Sequence, residues 1–430
     1  MASEPSIRIP TLSVEGYRAF RDRSELELRP LTLLFGRNQA GKSTLLRLLV
    51  AIADSVFGQA RVLDMTSPAL LGSTFKELGW LGPDPSFSPR LRLTAPDSRA
   101  FFEVQLTDES GVAPNRILLG RREDPPDLDV SLGDVSPAGP QQFHAEFVGR
   151  ANAVDWTGPL EFNSLLPTIP DTEQTRPAIR RLAEVRGCLE ALRGIQWLSA
   201  TRPQSLPNSR RARCCLPDGG DLPSALQGRP DVMALASHWL SEVSGLAESV
   251  AIGRDPAGLV RLELKRIGQE ALPFHLAGEG LQWLLPNLLC ACWAECGGAG
   301  APTMLAIEEV EARLHPNLQI ALLERLIDTV RKGVPCVLET HSIYLLRRVQ
   351  LAVLEQRLMP QDVAIHWVER DGHAARVRRI HVEGDGTLKG WHPETFEEEQ
   401  QLNRRIFQAR WRAHAAPPMP ATPNAMGRGT

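Results

Sequence analysis

Cysteine is sparse and unpaired in this chain of 430 residues: there are seven, an odd number without paired spacing, which argues against a disulfide framework and suits a reducing compartment. Long apolar runs are missing too. The longest, Leu281 to Ala294 (LQWLLPNLLCACWA), is interrupted by a proline and falls short of the roughly 20 residues that a bilayer crossing takes, so it reads as a buried helix and no membrane role is expected. Its cysteines, Cys290 and Cys292, and nearby Cys296 have no histidine beside them, and buried thiols are expected there rather than zinc ligands. Charge of one sign is not in excess. A formal net charge of −3 argues against a globally basic nucleic-acid binder but leaves room for a local basic face. Met1 to Pro10 has no apolar h-region, so a cytoplasmic protein is expected. Sustained heptads are absent, and with them the expectation of a long coiled-coil arm.

What is present is a phosphate-binding loop in working context. GRNQAGKS, Gly36 to Ser43, follows the apolar run LTLLF (Leu31 to Phe35) and precedes TLLRLLV (Thr44 to Val50), giving the order strand, loop, helix. Gly36 and Gly41 let the backbone curl its N–H groups toward phosphate oxygens, and the helix start adds partial positive charge. Gly36, Arg37, Asn38, Gln39, Ala40, Gly41, Lys42, Ser43 and Thr44 are therefore the expected nucleotide contacts. Lys42 would reach the β- and γ-phosphates, and the Ser43 hydroxyl would ligate Mg²⁺.

The remaining text divides by periodicity. Strands are expected at Leu12 to Tyr17 and Ser24 to Leu28, completing a first stretch, 1–60, with the loop. From 61 to 170, short β-like runs such as RLRL (Arg90 to Leu93), FFEVQL (Phe101 to Leu106) and RILLG (Arg116 to Gly120) alternate with Pro, Gly and Asp, which predicts an antiparallel β lobe. Glu123 to Pro140 is the segment expected to be disordered. Residues 171–270 read as a helical or insert region, with helices at Thr172 to Arg193 and Pro230 to Val243. From 271 to 400 strand and helix alternate: strands at Thr303 to Ile307, Pro335 to Glu339, Val363 to Glu369 and Arg376 to Val382, with helices at Pro316 to Arg331 and after Ser342. Alternation of this kind means a parallel sheet flanked by helices, shared with the loop half. The end, 401–430, is read as a terminal helix and a disordered tail from Ala413.

Two strand ends carry further chemistry. TMLAIEEVEARLHP, Thr303 to Pro316, places Glu308, Glu309 and Glu311 after a buried strand, where carboxylates are costly unless they meet a cation or water. Glu308 fits the acid that holds the Mg²⁺ water shell, and Glu309 the residue that polarises an attacking water. The competing reading is a solvated acidic start to a helix. PCVLETHS, Pro335 to Ser342, repeats the scheme and ends in Glu339, Thr340 and His341. That histidine either senses a γ-phosphate or is a satisfied structural residue.

P-loop, strand-EE and strand-ETHS in this order resemble the ABC-type ATPases of the RecF and SMC branch, and more narrowly AAA family ATPases of the overcoming-lysogenization-defect group. The opening LSVEGYRAFRDRSELELRPLTLLFGRNQAGKSTLLRLL is similar to theirs throughout, EEVEARLHP is similar to EEPExHLHP, and HVEGDGTLKGWHPETFEEE (His381 to Glu399) resembles a small C-terminal domain of unknown function in one subgroup. The resemblance covers about 11–60 and 270–400. It implies an α/β P-loop NTPase fold of the ABC ATPase type, with mixed or parallel sheet, inserted β lobe and helical subdomain. It also implies two ATP molecules clamped head to tail in a homodimer or higher homo-oligomer, each site completed by a signature loop from the partner, here Gly278, Glu279 and Gly280. Departures are the missing signature serine, Val310 in place of proline, Arg313 in place of histidine, Glu308 in place of aspartate, and no Q-loop glutamine. They bear on hydrolysis rate more than on binding.

The expected function is an ATP- and Mg²⁺-dependent ATPase switch in which Lys42, Glu309 and His341 act on the phosphates. The resemblance places it in anti-phage defence or DNA maintenance with a separately encoded effector. No nuclease constellation is visible. A nucleotide-holding scaffold and a small-molecule kinase are the alternatives, the ETHS strand and the GEG turn arguing against the kinase. DNA binding is carried by Arg176, Arg180 and Arg181 on one helical face and by Arg210, Arg211 and Arg213, all of which read equally well as solvated groups. Arg202 has no assigned role.

Overall fold

The computed structural model describes residues 9–391 apart from 59–61, 81–87, 108–112, 123, 125–127, 132–142, 148–153, 159–160, 163, 174, 201–214 and 267, together with 404–408 and 410–411. The segments expected to be disordered lie wholly or mostly outside these residues.

Two sheets organise the protein. The central one runs, in spatial order, Ile195–Leu198, Met304–Ile307, Cys336–Thr340, Leu31–Gly36, Val363–Asp371, Ala374–Val382 and Leu388–Lys389. Its first five strands are parallel and the last two antiparallel. Parallel strands are covered on both faces, which is why they read as unbroken apolar runs rather than alternating ones. Successive side chains still point to opposite faces: Leu34 enters one core and Leu31, Leu33 and Phe35 the other.

The first core lies between the central sheet and the second, antiparallel sheet, with helix Lys42–Phe57 inside it contributing Leu45, Leu46, Leu48 and Leu49. The second core lies on the opposite face and is roofed by helices Glu279–Cys296, Pro316–Arg331 and Ile343–Leu354. Pro316 begins its helix where the missing N–H costs nothing, directly after the N-cap His315. Among the described residues, no helix is long and apolar enough to cross a membrane.

The antiparallel sheet differs from the sequence-based partition. Thr11–Glu15 and Ser24–Leu26 pair with each other, and Thr11–Glu15 pairs with Arg90–Thr94, so these strands belong with Ala100–Thr107, Ala113–Arg121 and the strands beyond rather than with the loop strand that follows them. Helix Arg176–Leu189 packs on this sheet through Ala178, Leu182 and Val185. Residues 171–270 are not purely helical. Ile195–Leu198 is the edge strand of the central sheet, and Ser249–Arg254, Val260–Lys265 and Leu272–Pro273 form a small antiparallel sheet.

Candidate nucleotide site

Because the parallel strands point the same way, their carboxyl ends converge, the usual position of a ligand site in an α/β sheet. Leu31–Gly36 ends at the loop, with Cys336–Thr340 hydrogen-bonded on one side and Val363–Asp371 on the other. Two glycines make this approach feasible. A Cβ on Gly36 would lie 2.0 Å from the Val368 carbonyl oxygen, and one on Gly41, at φ +108°, would lie 2.9 Å from the Phe20 ring. Helix Lys42–Phe57 then starts without a side-chain cap, and the N–H groups of its first turn have no intrahelical acceptor.

A cavity of about 810 Å³ opens above these strand ends. Asn38, Gln39, Gly41, Lys42, Ser43 and Thr44 line it, and so do Glu309, Glu339 and His341. The three separately read motifs therefore share one space. Lys42 is 3 % exposed, and its ammonium donates to the carbonyls of Gly36 (3.2 Å) and Arg37 (2.9 Å). Burial lowers its pKa, opposed by Glu339, whose carboxylate lies 3.8 Å away.

The carboxylates are not equivalent. Glu308 is 2 % exposed and accepts from Arg47 at both oxygens (2.5 and 2.7 Å), from the Trp197 indole (3.1 Å) and from the Ala200 N–H (3.2 Å). It is thus paired bidentately and solvated by protein donors. Glu339 accepts at Oε1 from the Ser43 hydroxyl (2.8 Å), while its buried Oε2 has no hydrogen-bond partner among the described residues. Burial first, and then the neighbouring Glu308, raise its pKa to about 7. Glu309 is exposed and held at φ +42°, which turns its side chain out of the strand direction at the cavity wall. Glu311 accepts from the His341 N–H (2.6 Å) and so ties the two strand ends together.

His341 is partly buried, and its pKa falls to about 4 through burial and through the charge of Lys42. At neutral pH it is a neutral imidazole, able to accept or donate one hydrogen bond at a phosphate. Gly278, Glu279 and Gly280 do not line this cavity; they open helix Glu279–Cys296, and Glu279 pairs with Arg313 (2.8 Å). Arg176 pairs with Asp171 and Arg181 with Glu184, whereas Arg202, Arg210, Arg211 and Arg213 lie outside the described residues.

Sequence reading missed several wall residues: Arg18, Ser73, Glu77 and Trp80 from the antiparallel lobe, and Arg370 and His373 from the hairpin after the loop strand. Their signal is weak, since they reach the cavity only because strands distant in sequence share a sheet. Arg47 was legible in principle, as a lone charge within TLLRLLV must find a buried partner.

A family model matches residues 223–347. Its description is "AAA domain, putative AbiEii toxin, Type IV TA system". The matched stretch takes in Gly278 to Gly280, Glu308, Glu309, Glu339 and His341, and leaves the Gly36 to Ser43 loop outside. Comparison with curated proteins returns no match. Among solved structures, the chain is similar to the SMC head domain from Thermotoga maritima (12 % identity, TM-score 0.40, covering 87 % of this chain and 100 % of that one). It is also similar to the Smc head domain with an extended coiled coil bound to the C-terminal domain of ScpA from Pyrococcus furiosus (9 % identity, TM-score 0.45, covering 93 % and 100 %).

Proposed function

We propose that the protein is an ATP-binding and ATP-hydrolysing switch. The observation that carries this reading is the gathering of Lys42, Ser43, Glu309, Glu339 and His341 around one cavity above the carboxyl ends of a parallel sheet. Loop N–H groups and Lys42 bind the phosphate chain, and Glu309 orients water from the exposed wall. Neutral His341 contacts the terminal phosphate and, through its backbone bond to Glu311, couples that contact to the acidic strand. The donor set also fits Mg²⁺, because the Ser43 hydroxyl stands against a buried carboxylate with an unpartnered oxygen. When bound, Mg²⁺ supplies neutralisation of charge at the β- and γ-phosphates.

Head-to-tail dimerisation belongs to the same reading. Gly278 to Gly280 open a helix start away from their own cavity, and such a start offers N–H groups to the nucleotide of a second copy. A role in defence or DNA maintenance with a separate effector rests on the resemblance of the motifs. The full chain is expected to bind MgATP, and its mass is expected to double with a non-hydrolysable analogue. Absence of ATP binding in the wild type, or wild-type behaviour of Lys42→Ala, refutes the reading.

One observation favours a second reading, a nucleotide-holding scaffold with little turnover: Glu308 is already committed to Arg47. Glu309→Gln separates the two. A hydrolase accumulates the ATP-bound dimer in this variant, whereas a scaffold does not change.

A further inference from the structure

We infer that Glu339, rather than Glu308, is the carboxylate that joins Ser43 at the divalent cation, and that Glu308 serves as the counter-ion that positions Arg47. This rests on the nucleotide-binding reading above.

The geometry separates the two acids. A carboxylate that holds a cation needs a free oxygen on the metal side, next to the other protein ligand. Glu339 has both: Oε1 meets the Ser43 hydroxyl, and Oε2 is buried without a partner among the described residues. An orphaned buried carboxylate oxygen is costly, and a cation removes the cost. Glu308 has neither. Both of its oxygens are occupied by Arg47, with Trp197 and Ala200 adding further donors, so the pair is neutral before any cation arrives.

Chain position explains the exchange of roles. Glu339 stands on the strand paired directly with the loop strand, opposite Leu34, whereas Met304–Ile307, which precedes Glu308, is one strand further out. Arg47 lies one helical turn beyond Ser43 and so fills the space between the helix and the outer acid. Glu339 also lies 3.8 Å from Lys42. Without a cation its charge offsets the lysine that phosphate needs; with a cation bound beside Ser43 that charge is taken up and the lysine is released to the phosphates.

The test titrates a fluorescent ATP analogue into the full chain with Mg²⁺ and with EDTA, and the gain in affinity on adding Mg²⁺ is the quantity compared. Glu339→Gln is expected to reduce that gain by about tenfold or more, since removing even an outer-shell partner costs a metal site that much. Its affinity in EDTA should equal or exceed that of wild type, because a repulsive charge is gone. A merely structural defect would instead weaken both. Glu308→Gln is expected to lower the unfolding midpoint and to leave the greater part of the Mg²⁺ gain. If Glu339→Gln does not fold, Glu339→Asp, which withdraws the charge by one methylene, should also reduce the gain, and a folded Asp variant with the full gain overturns the inference. Retention of the wild-type gain in Glu339→Gln, or its loss only in Glu308→Gln, also overturns it while the nucleotide reading stands. Failure of the wild type to bind in either condition overturns both.

Discussion

Replacing Arg47 by methionine tests whether the Arg47–Glu308 pair is a structural lock. The guanidinium is 14 % exposed and the carboxylate 1 %, with two parallel bonds of 2.5 and 2.7 Å between them. Methionine keeps the apolar stem but not the guanidinium, whose central carbon lies 5.8 Å from the Trp197 ring centroid, so a cation–π contact worth about 0.5–2 kcal/mol is lost along with the ion pair. What changes is that Glu308 keeps its charge in a dry site, with the Trp197 indole, the Ala200 N–H and the more distant Ser199 hydroxyl (3.5 Å) as its donors. Breaking a buried pair from one side costs about 3–5 kcal/mol. These donors, each hydrogen bond to a charged acceptor being worth about 1.5–3 kcal/mol, hold the loss toward the lower end. The double variant Arg47→Met/Glu308→Gln removes the orphan charge while the amide oxygen still accepts from Trp197 or Ala200, and it should recover to within about 1.5 kcal/mol of wild type. Equilibrium urea unfolding of the four proteins measures the cycle. A loss below about 1 kcal/mol for Arg47→Met, or a double variant no better than the single, would show that solvent reaches Glu308 and that the pair is not a lock.

Gly36→Ala places a methyl carbon 2.0 Å from the Val368 carbonyl oxygen, and forcing the two strands apart should cost about 2–4 kcal/mol or abolish soluble expression; an unchanged unfolding midpoint refutes the close approach. Lys42→Ala removes a charge-assisted contact worth about 1.5–3 kcal/mol, so nucleotide affinity should fall by roughly 10- to 150-fold with the fold retained, as read by fluorescence titration and circular dichroism together. His366 is 1 % exposed, bonded to the Glu27 carbonyl (2.8 Å), and burial lowers its pKa from 6.5 to about 4. The unfolded chain therefore binds its proton below pH 6.5 while the folded chain does not until about pH 4, so this residue's contribution to stability is present above pH 6.5 and is lost as pH falls through that window. His366→Gln should flatten the wild-type loss of stability between pH 6.5 and 4, and an unaltered slope in unfolding experiments across that range would show that the imidazole is hydrated.

Most of the central sheet was legible because each of its parallel strands is buried on both faces and therefore appears as a bare apolar run ending in a polar group. LTLLF, TMLAI and PCVLE have that form, and the helices between them begin at visible signals such as Pro316. Sheet membership was not legible. Nothing local to Thr11–Glu15 says whether the neighbour on its second side is the loop strand that follows or Arg90–Thr94, some eighty residues further on. Ile195–Leu198 was hidden for the opposite reason: four apolar-lined positions are too few to separate strand from buried helix by periodicity, and its identity is conferred by register against Met304–Ile307.

The site shows the same division between chemistry and pairing. That Lys42, Glu309 and His341 belong together follows from residue types at strand ends, since charged groups there must meet solvent or ligand. Which carboxylate faces the cation does not follow: the sequence reading gives that place to Glu308, although Glu339 also ends a buried parallel strand. The decision lies in a residue outside either motif. Arg47 sits on the helix after the loop, four positions past Ser43, and its bidentate hold on Glu308 takes that acid out of competition. Ser43 is then left facing Glu339 alone of the two. A strand-EE motif read without its partner arginine therefore names the acid by position, whereas the charge balance around the loop names it by what each carboxylate still has to satisfy.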